Sequence, residues 1–116
     1  MDNAEEQNIV ADKVNESVSL GGNIELVGFN DIDASEMVVL KKIIGNYARK
    51  FSDHMQDQYV RLIVDMKHVH GAKSSKFQIQ AKLMTPGKPY SSEVTENNLF
   101  VCVADSMKKL EAQIMK

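Results

Sequence analysis

Three histidines, one cysteine and a run of lysines and arginines are the side chains whose chemistry matters most in this chain. His68-Val69-His70 sets two imidazoles two residues apart, on one side of the backbone if it is extended, and His54 is the third ligand a metal ion would recruit. No carboxylate or cysteine cluster accompanies them, so they read as loop histidines near phosphate, with no metal. Cys102 lies on the flank of an apolar stripe, and the sequence places no base beside it, which makes it a packing residue rather than a nucleophile. A nucleophile–base pair, a phosphate-cradling loop and cooperating carboxylates are all missing. The expectation is therefore no enzyme, no cofactor and no small-molecule substrate.

The cations offer more. The formal net charge of -2 hides an uneven distribution. Residues 1 to 22 balance at -4, whereas residues 41 to 88 hold ten lysines and arginines against Asp53, Asp57 and Asp65, a balance of +7. A basic middle after an acidic leader points to an anionic partner. The cations expected to meet an anionic partner, with nucleic acid the leading candidate, are Lys42, Arg49, Arg61, Lys67, Lys76, Lys82, Lys108 and Lys109. Gly45, in a helical stretch, admits either close approach of an RNA backbone or a tight helix contact.

Those side chains need elements to hold them. Residues 1 to 22 read as a flexible acidic leader ending in Leu20-Gly21-Gly22, with a helical alternative around Ile9 to Val18. Asn23 to Phe29 has strand composition and alternation. Asp33 and Glu36 have capping-box spacing with Ile32 as staple, and a helix follows to about Phe51 with Met37, Leu40, Ile44, Tyr47 and Phe51 on its apolar stripe. Tyr59 to Lys67 and Lys76 to Met84 alternate as the two halves of a hairpin around the loop His68 to Ser75. Thr85-Pro86-Gly87-Lys88 suits a type II turn into a strand from Tyr90 to Val94. Residues 95–98 cap a last helix with the stripe Leu99, Val103, Met107, Leu110 and Ile114.

The resulting fold class is α+β, in the order β-α-β-β-β-α: one four-stranded sheet with both helices on one face, over residues 23 to 116. In the hairpin register that matches Val64 to Ile79, Arg61 opposes Lys82 and Lys67 opposes Lys76 on the uncovered face. Such like-charge pairs weaken a sheet unless something anionic meets them.

This order resembles the ribosome hibernation-promoting factors and ribosome-associated translation inhibitors. Residues 24–32 (IELVGFNDI) are similar to the family's first strand and helix entry, and Arg49-Lys50-Phe51 to the Lys/Arg-x-Phe near its helix end. Residues 98–103 (NLFVCV) followed by 107–114 (MKKLEAQI) resemble its last helix. The likeness is to the short form, without a C-terminal dimerisation domain. It implies a monomer that binds small-subunit rRNA in the channel of mRNA and tRNA and blocks translation, the lysines and arginines neutralising phosphates.

A double-stranded-RNA-binding module shares the inner α-β-β-β-α order, yet its lysine-rich start to the last helix is replaced here by Asn97-Asn98-Leu99-Phe100. A protein–protein adaptor using the open sheet is the other alternative. Leu, Ile, Val and Phe supply 31 of 116 residues, enough for one globular domain. No run is long and apolar enough for a bilayer, and the acidic start, Met1-Asp2-Asn3-Ala4-Glu5-Glu6, differs from a secretory signal. The chain is expected in the cytoplasm, away from membranes. A single cysteine excludes an internal disulfide and any cysteine-pair zinc site.

Overall fold

Apolar residues recurring every second position in the strands and every three to four in the helices leave one way to bury both patterns: strands side by side, helices across one face. The computed structural model describes residues 17–19, 23–55, 61–70 and 75–115, and these take that form. The elements are β1 (Ser17–Ser19), β2 (Ile24–Val27), α1 (Ala34–Met55), β3 (Arg61–His70), β4 (Ser75–Met84), β5 (Tyr90–Glu96) and α2 (Leu99–Ile114). From β2 onward the order is β-α-β-β-β-α, an α+β fold. The strands pair in chain order. β2 and β3 are parallel, because α1 returns the chain to the starting end of the sheet, and the other neighbours are antiparallel.

Two expectations are corrected at the sheet's edge. Residues 17–19 are not leader but strand β1, paired with β2 through Ser17↔Val27, Val18↔Leu26 and Ser19↔Glu25, so the sheet has five strands and not four. Three residues of Ser-Val-Ser are too few to signal a strand by alternation. The stabilisation comes from β2, whose backbone would otherwise carry an open row of donors and acceptors. The rest of the acidic leader, and its helical alternative before Ser17, lie outside the described residues.

Entry into α1 follows the local chemistry. Gly28 takes a φ of 84°, and a Cβ there would collide with the carbonyl oxygen of Met66, so only glycine lets the chain turn past β3. Asp33 caps the helix: its carbonyl accepts the Met37 amide at 2.9 Å and its carboxylate accepts the Ser35 amide at 3.1 Å and the Ser35 hydroxyl. These hydrogen bonds, the hydroxyl's first, hold the Asp33 carboxyl below its ordinary value. Asn98 does the same for α2, accepting Val101 N–H at 3.0 Å. Leu40, Ile44, Ala48 and Phe51 of α1, with Leu99, Cys102, Val103, Met107 and Leu110 of α2, form one core with the inward residues Leu26, Leu62, Val64, Met66, Ile79, Ala81, Leu83 and Val94. Among the described residues no helix is long and apolar enough to cross a membrane.

The hairpin keeps the expected faces but slides by two residues. Leu62 pairs with Leu83, Val64 with Ala81 and Met66 with Ile79, and the ladder continues through His68↔Phe77, Val69↔Lys76 and His70↔Ser75. A two-residue slip preserves alternation, so the apolar pattern alone does not choose between the registers. The observed one extends pairing to His70. His68 to His70 are thus strand rather than loop. Ile63 opposes Lys82 and Lys67 opposes Gln78, and the expected Arg61–Lys82 and Lys67–Lys76 oppositions are absent.

Candidate nucleic-acid interface

The uncovered face of the sheet is built from the odd-numbered positions of β3 and the even-numbered ones of β4. It carries Arg61, Lys67, Lys76 and Lys82 of the expected RNA-facing set. The helix layer on the opposite side carries Lys42 and Arg49 on α1 and Lys108 and Lys109 on α2, all exposed. The eight residues therefore form two surfaces rather than one.

On the sheet face, pairing sorts the cations. Arg61 donates to Glu25 at 3.3 Å, an ion pair between adjacent parallel strands, and so is partly neutralised. Glu93 on β5 accepts Gln78 Nε2 at 2.7 Å and Gln80 Nε2 at 3.2 Å, which holds the centre of the face as an amide–carboxylate network. Lys82 stands between Ile63 and Ser91. Lys67 and Lys76 are diagonal neighbours, their Cβ atoms about 7 Å apart in such a register. Among the described residues no ion pair engages Lys67, Lys76 or Lys82, and these three are the face's available positive charge. Exposed Val69 and Met84 lie on the same face.

The helix layer divides as well. Lys42 and Arg49 lie exposed two turns apart on one face of α1, and exposed Lys41, outside the expected set, stands about 100° round the helix from Lys42. Lys50 bonds Glu111 at 3.6 Å and covers the Tyr47 ring at 5.0 Å, joining the two helices. Lys109 Nζ donates to the Glu93 carbonyl at 3.5 Å, and Gln113 Nε2 to the Ser91 carbonyl at 2.6 Å. The groove beside them is lined by Glu93, Glu96 and Asp105 as well as Lys108 and Lys109, so this side is acidic on balance and a poor seat for phosphate.

His54 and His68 do not converge. His54 lines an open cleft of about 450 Å³ with Thr85, Pro86, Gly87 and Tyr90 beside the β4–β5 turn. His68 sits at the other end of the sheet, opposite Phe77. Among the described residues no group of three metal-ligating side chains forms. Cys102 is fully buried and its Sγ–H has the Val94 and Phe77 carbonyls at 3.2 and 3.4 Å, while burial pushes its thiol up, so the thiolate is suppressed. Gly45 has nothing within 4 Å of an added Cβ among the described residues, so the tight-helix-contact reading is withdrawn.

Compared with models of protein families and with curated proteins, the sequence matches none.

Proposed function

We propose that this protein is a ribosome-associated translation inhibitor of the hibernation type, a non-enzymatic binder of small-subunit rRNA in the channel used by mRNA and tRNA. The observation that carries the reading is the trio Lys67, Lys76 and Lys82 on a sheet face where, among the described residues, no helix covers them and no carboxylate pairs with them. Lysines in that state neutralise phosphate and release counterions without first breaking an ion pair. The resemblance in residues 24–32, 49–51 and 98–114 supports the same reading.

The mechanism needs no chemistry. A rigid wedge, stiffened by one continuous core, occupies the volume that mRNA and tRNA need, and the cations hold it there. Arg61 contributes least, being paired to Glu25, and Lys108 and Lys109 follow, being set among acids. The adaptor alternative draws on one observation, the exposed Val69 and Met84 beside the lysines. For the duplex-RNA alternative the start of α2 is the obstacle, since its cap is a neutral Asn98.

Displacement of labelled tRNA from programmed small subunits tests the proposal. The protein is expected to displace tRNA, less effectively as salt rises. Undiminished tRNA occupancy at saturating protein contradicts it, and displacement that is insensitive to salt favours the adaptor.

A further inference from the structure

The β3–β4 ladder is longer than its neighbours. Among the described residues β2 stops at the Val27↔Asp65 pair and β5 at the Phe77↔Glu96 pair, whereas β3 and β4 remain paired through Val69↔Lys76 and His70↔Ser75. The last pairs form a two-stranded ribbon that projects past the sheet. On the uncovered face its root carries Lys67, Val69 and Lys76, all exposed, Val69 at 43%. Val69 is paired with Lys76 and lies two residues from Lys67 on the same side of β3, so an apolar surface is bracketed by two ammonium groups. No ion pair engages either lysine among the described residues. Like charges at this spacing repel, and a carboxylate brought to both relieves them.

The chain carries such carboxylates nearby in sequence. Residues 1–16 hold Asp2, Glu5, Glu6, Asp12 and Glu16 against Lys13, a balance of -4. Asp12, Val14 and Glu16, at alternate positions just before β1, read acid, apolar, acid, the complement in kind of Lys67, Val69 and Lys76. Their point of attachment is also suitable. Ser17, where β1 begins, is paired with Val27, and Val27 with Asp65, so the leader joins the sheet one outward position short of Lys67 and at the end where the ribbon projects. With strands about 4.8 Å apart and about 3.3 Å of rise per residue, Lys67 lies about 12 Å from Ser17, a gap that about four extended residues span. Other cations fit less well. Lys82 is set apart from the ribbon by the row of Asp65, Gln80 and Glu93, whose carboxylates repel an acidic segment, Lys42 and Arg49 belong to the helix layer, and Lys108 and Lys109 stand among acids.

We propose that in the RNA-free protein residues 1–16 dock on the uncovered face of the ribbon, with Asp12 and Glu16 against Lys67 and Lys76 and Val14 over Val69, and that RNA displaces them. The displacement rests on the RNA-binding reading above and adds regulation to that same site; the docking stands without it. Because the leader is tethered, its carboxylates compete at high effective concentration, and RNA prevails by supplying several phosphates at once.

Zero-length carbodiimide cross-linking of the full chain, followed by peptide mapping, tests the docking without RNA. The Lys50–Glu111 ion pair, at 3.6 Å, is the internal control that the reaction ran on folded protein. At low salt, links from Asp12 or Glu16 to Lys67 or Lys76 within one chain are expected, and about 1 M salt should abolish them. A saturating single-stranded 12-nucleotide RNA should suppress them too. Asp12→Asn with Glu16→Gln should bind that RNA roughly three- to tenfold more tightly at low salt, and as wild type does at about 1 M. Leader links that are missing while Lys50–Glu111 forms, that join two chains, or that run to other lysines overturn the docking. Leader links that persist when RNA is bound overturn the displacement. If the leader links form but the full chain and the double variant bind no RNA, the RNA-binding reading falls, and the displacement with it, while the docking stands.

Discussion

Gly45 separates stability from binding at a single residue. A helical glycine costs about 1 kcal/mol relative to alanine, and the space where its Cβ would go is empty. Gly45→Ala is therefore expected to raise unfolding stability by up to about 1 kcal/mol in urea titration. If its RNA affinity falls at the same time, the glycine admits a close RNA backbone, as its place near exposed Lys41, Lys42 and Arg49 suggests. Gly28→Ala should do the opposite, destabilising by well over 1 kcal/mol, since it meets both a positive φ and the Met66 carbonyl. At Cys102, burial raises the thiol, so the folded state resists losing that proton. The associated stability is complete below the ordinary cysteine value and is lost as pH rises toward the raised one. Wild type should thus lose stability in mildly alkaline buffer where Cys102→Ala does not, and the native thiol should react with a thiol reagent only on unfolding. The burial of Cys102 was legible from its position on the stripe. Which cations are engaged was not, because Arg61–Glu25 and Lys109–Glu93 join residues far apart in sequence.

At the scale of elements, alternation and caps carried most of the information. The Asp33 cap, the Asn98 cap and both helical stripes follow from local spacing, and all hold. Register did not, since a slip of two residues leaves every side chain on its face and its penalty is spread along the strands. That slip removed the like-charge oppositions and, by lengthening the ladder, placed His68 over Phe77. Strand β1 was invisible for a related reason: its pairing depends on what β2 offers, not on its own three residues. The other edge, β5, is shielded by α2, whose Lys109 and Gln113 donate to the outward carbonyls of Glu93 and Ser91. Removing both donors, Lys109→Ala with Gln113→Ala, should leave the fold intact but expose the strand. Concentration-dependent self-association in sedimentation velocity is the expected result.

For the whole molecule the issue is how a net charge of -2 fits the anionic partner we propose. Acids and cations are segregated only in part, since Glu25 and Glu93 share the open sheet face with the lysines. The α2–β5 groove gathers Glu93, Glu96 and Asp105, the leader balances at -4, and the available lysines sit on the open sheet face and ribbon. The chain enters β1 at Ser17, opposite Val27, the end of the sheet from which the ribbon projects. Deleting residues 1–16 should accordingly raise RNA affinity at low salt and change little at about 1 M salt, where charges beyond roughly 3 Å are screened. The class of fold was legible because it follows from one-sided apolar patterns. The division of the cations into two surfaces was not, since it depends on which side of the sheet the helices lie.

The central claim is that the sheet-face lysines take the protein to the small ribosomal subunit. Sedimentation with separated small and large subunits, at low and high salt, tests it most directly, with Lys67→Glu plus Lys76→Glu as the comparison. Association with the small subunit alone, lost at high salt and in the double variant, is the predicted result. Equal association of wild type and variant, or association with neither subunit, would contradict it.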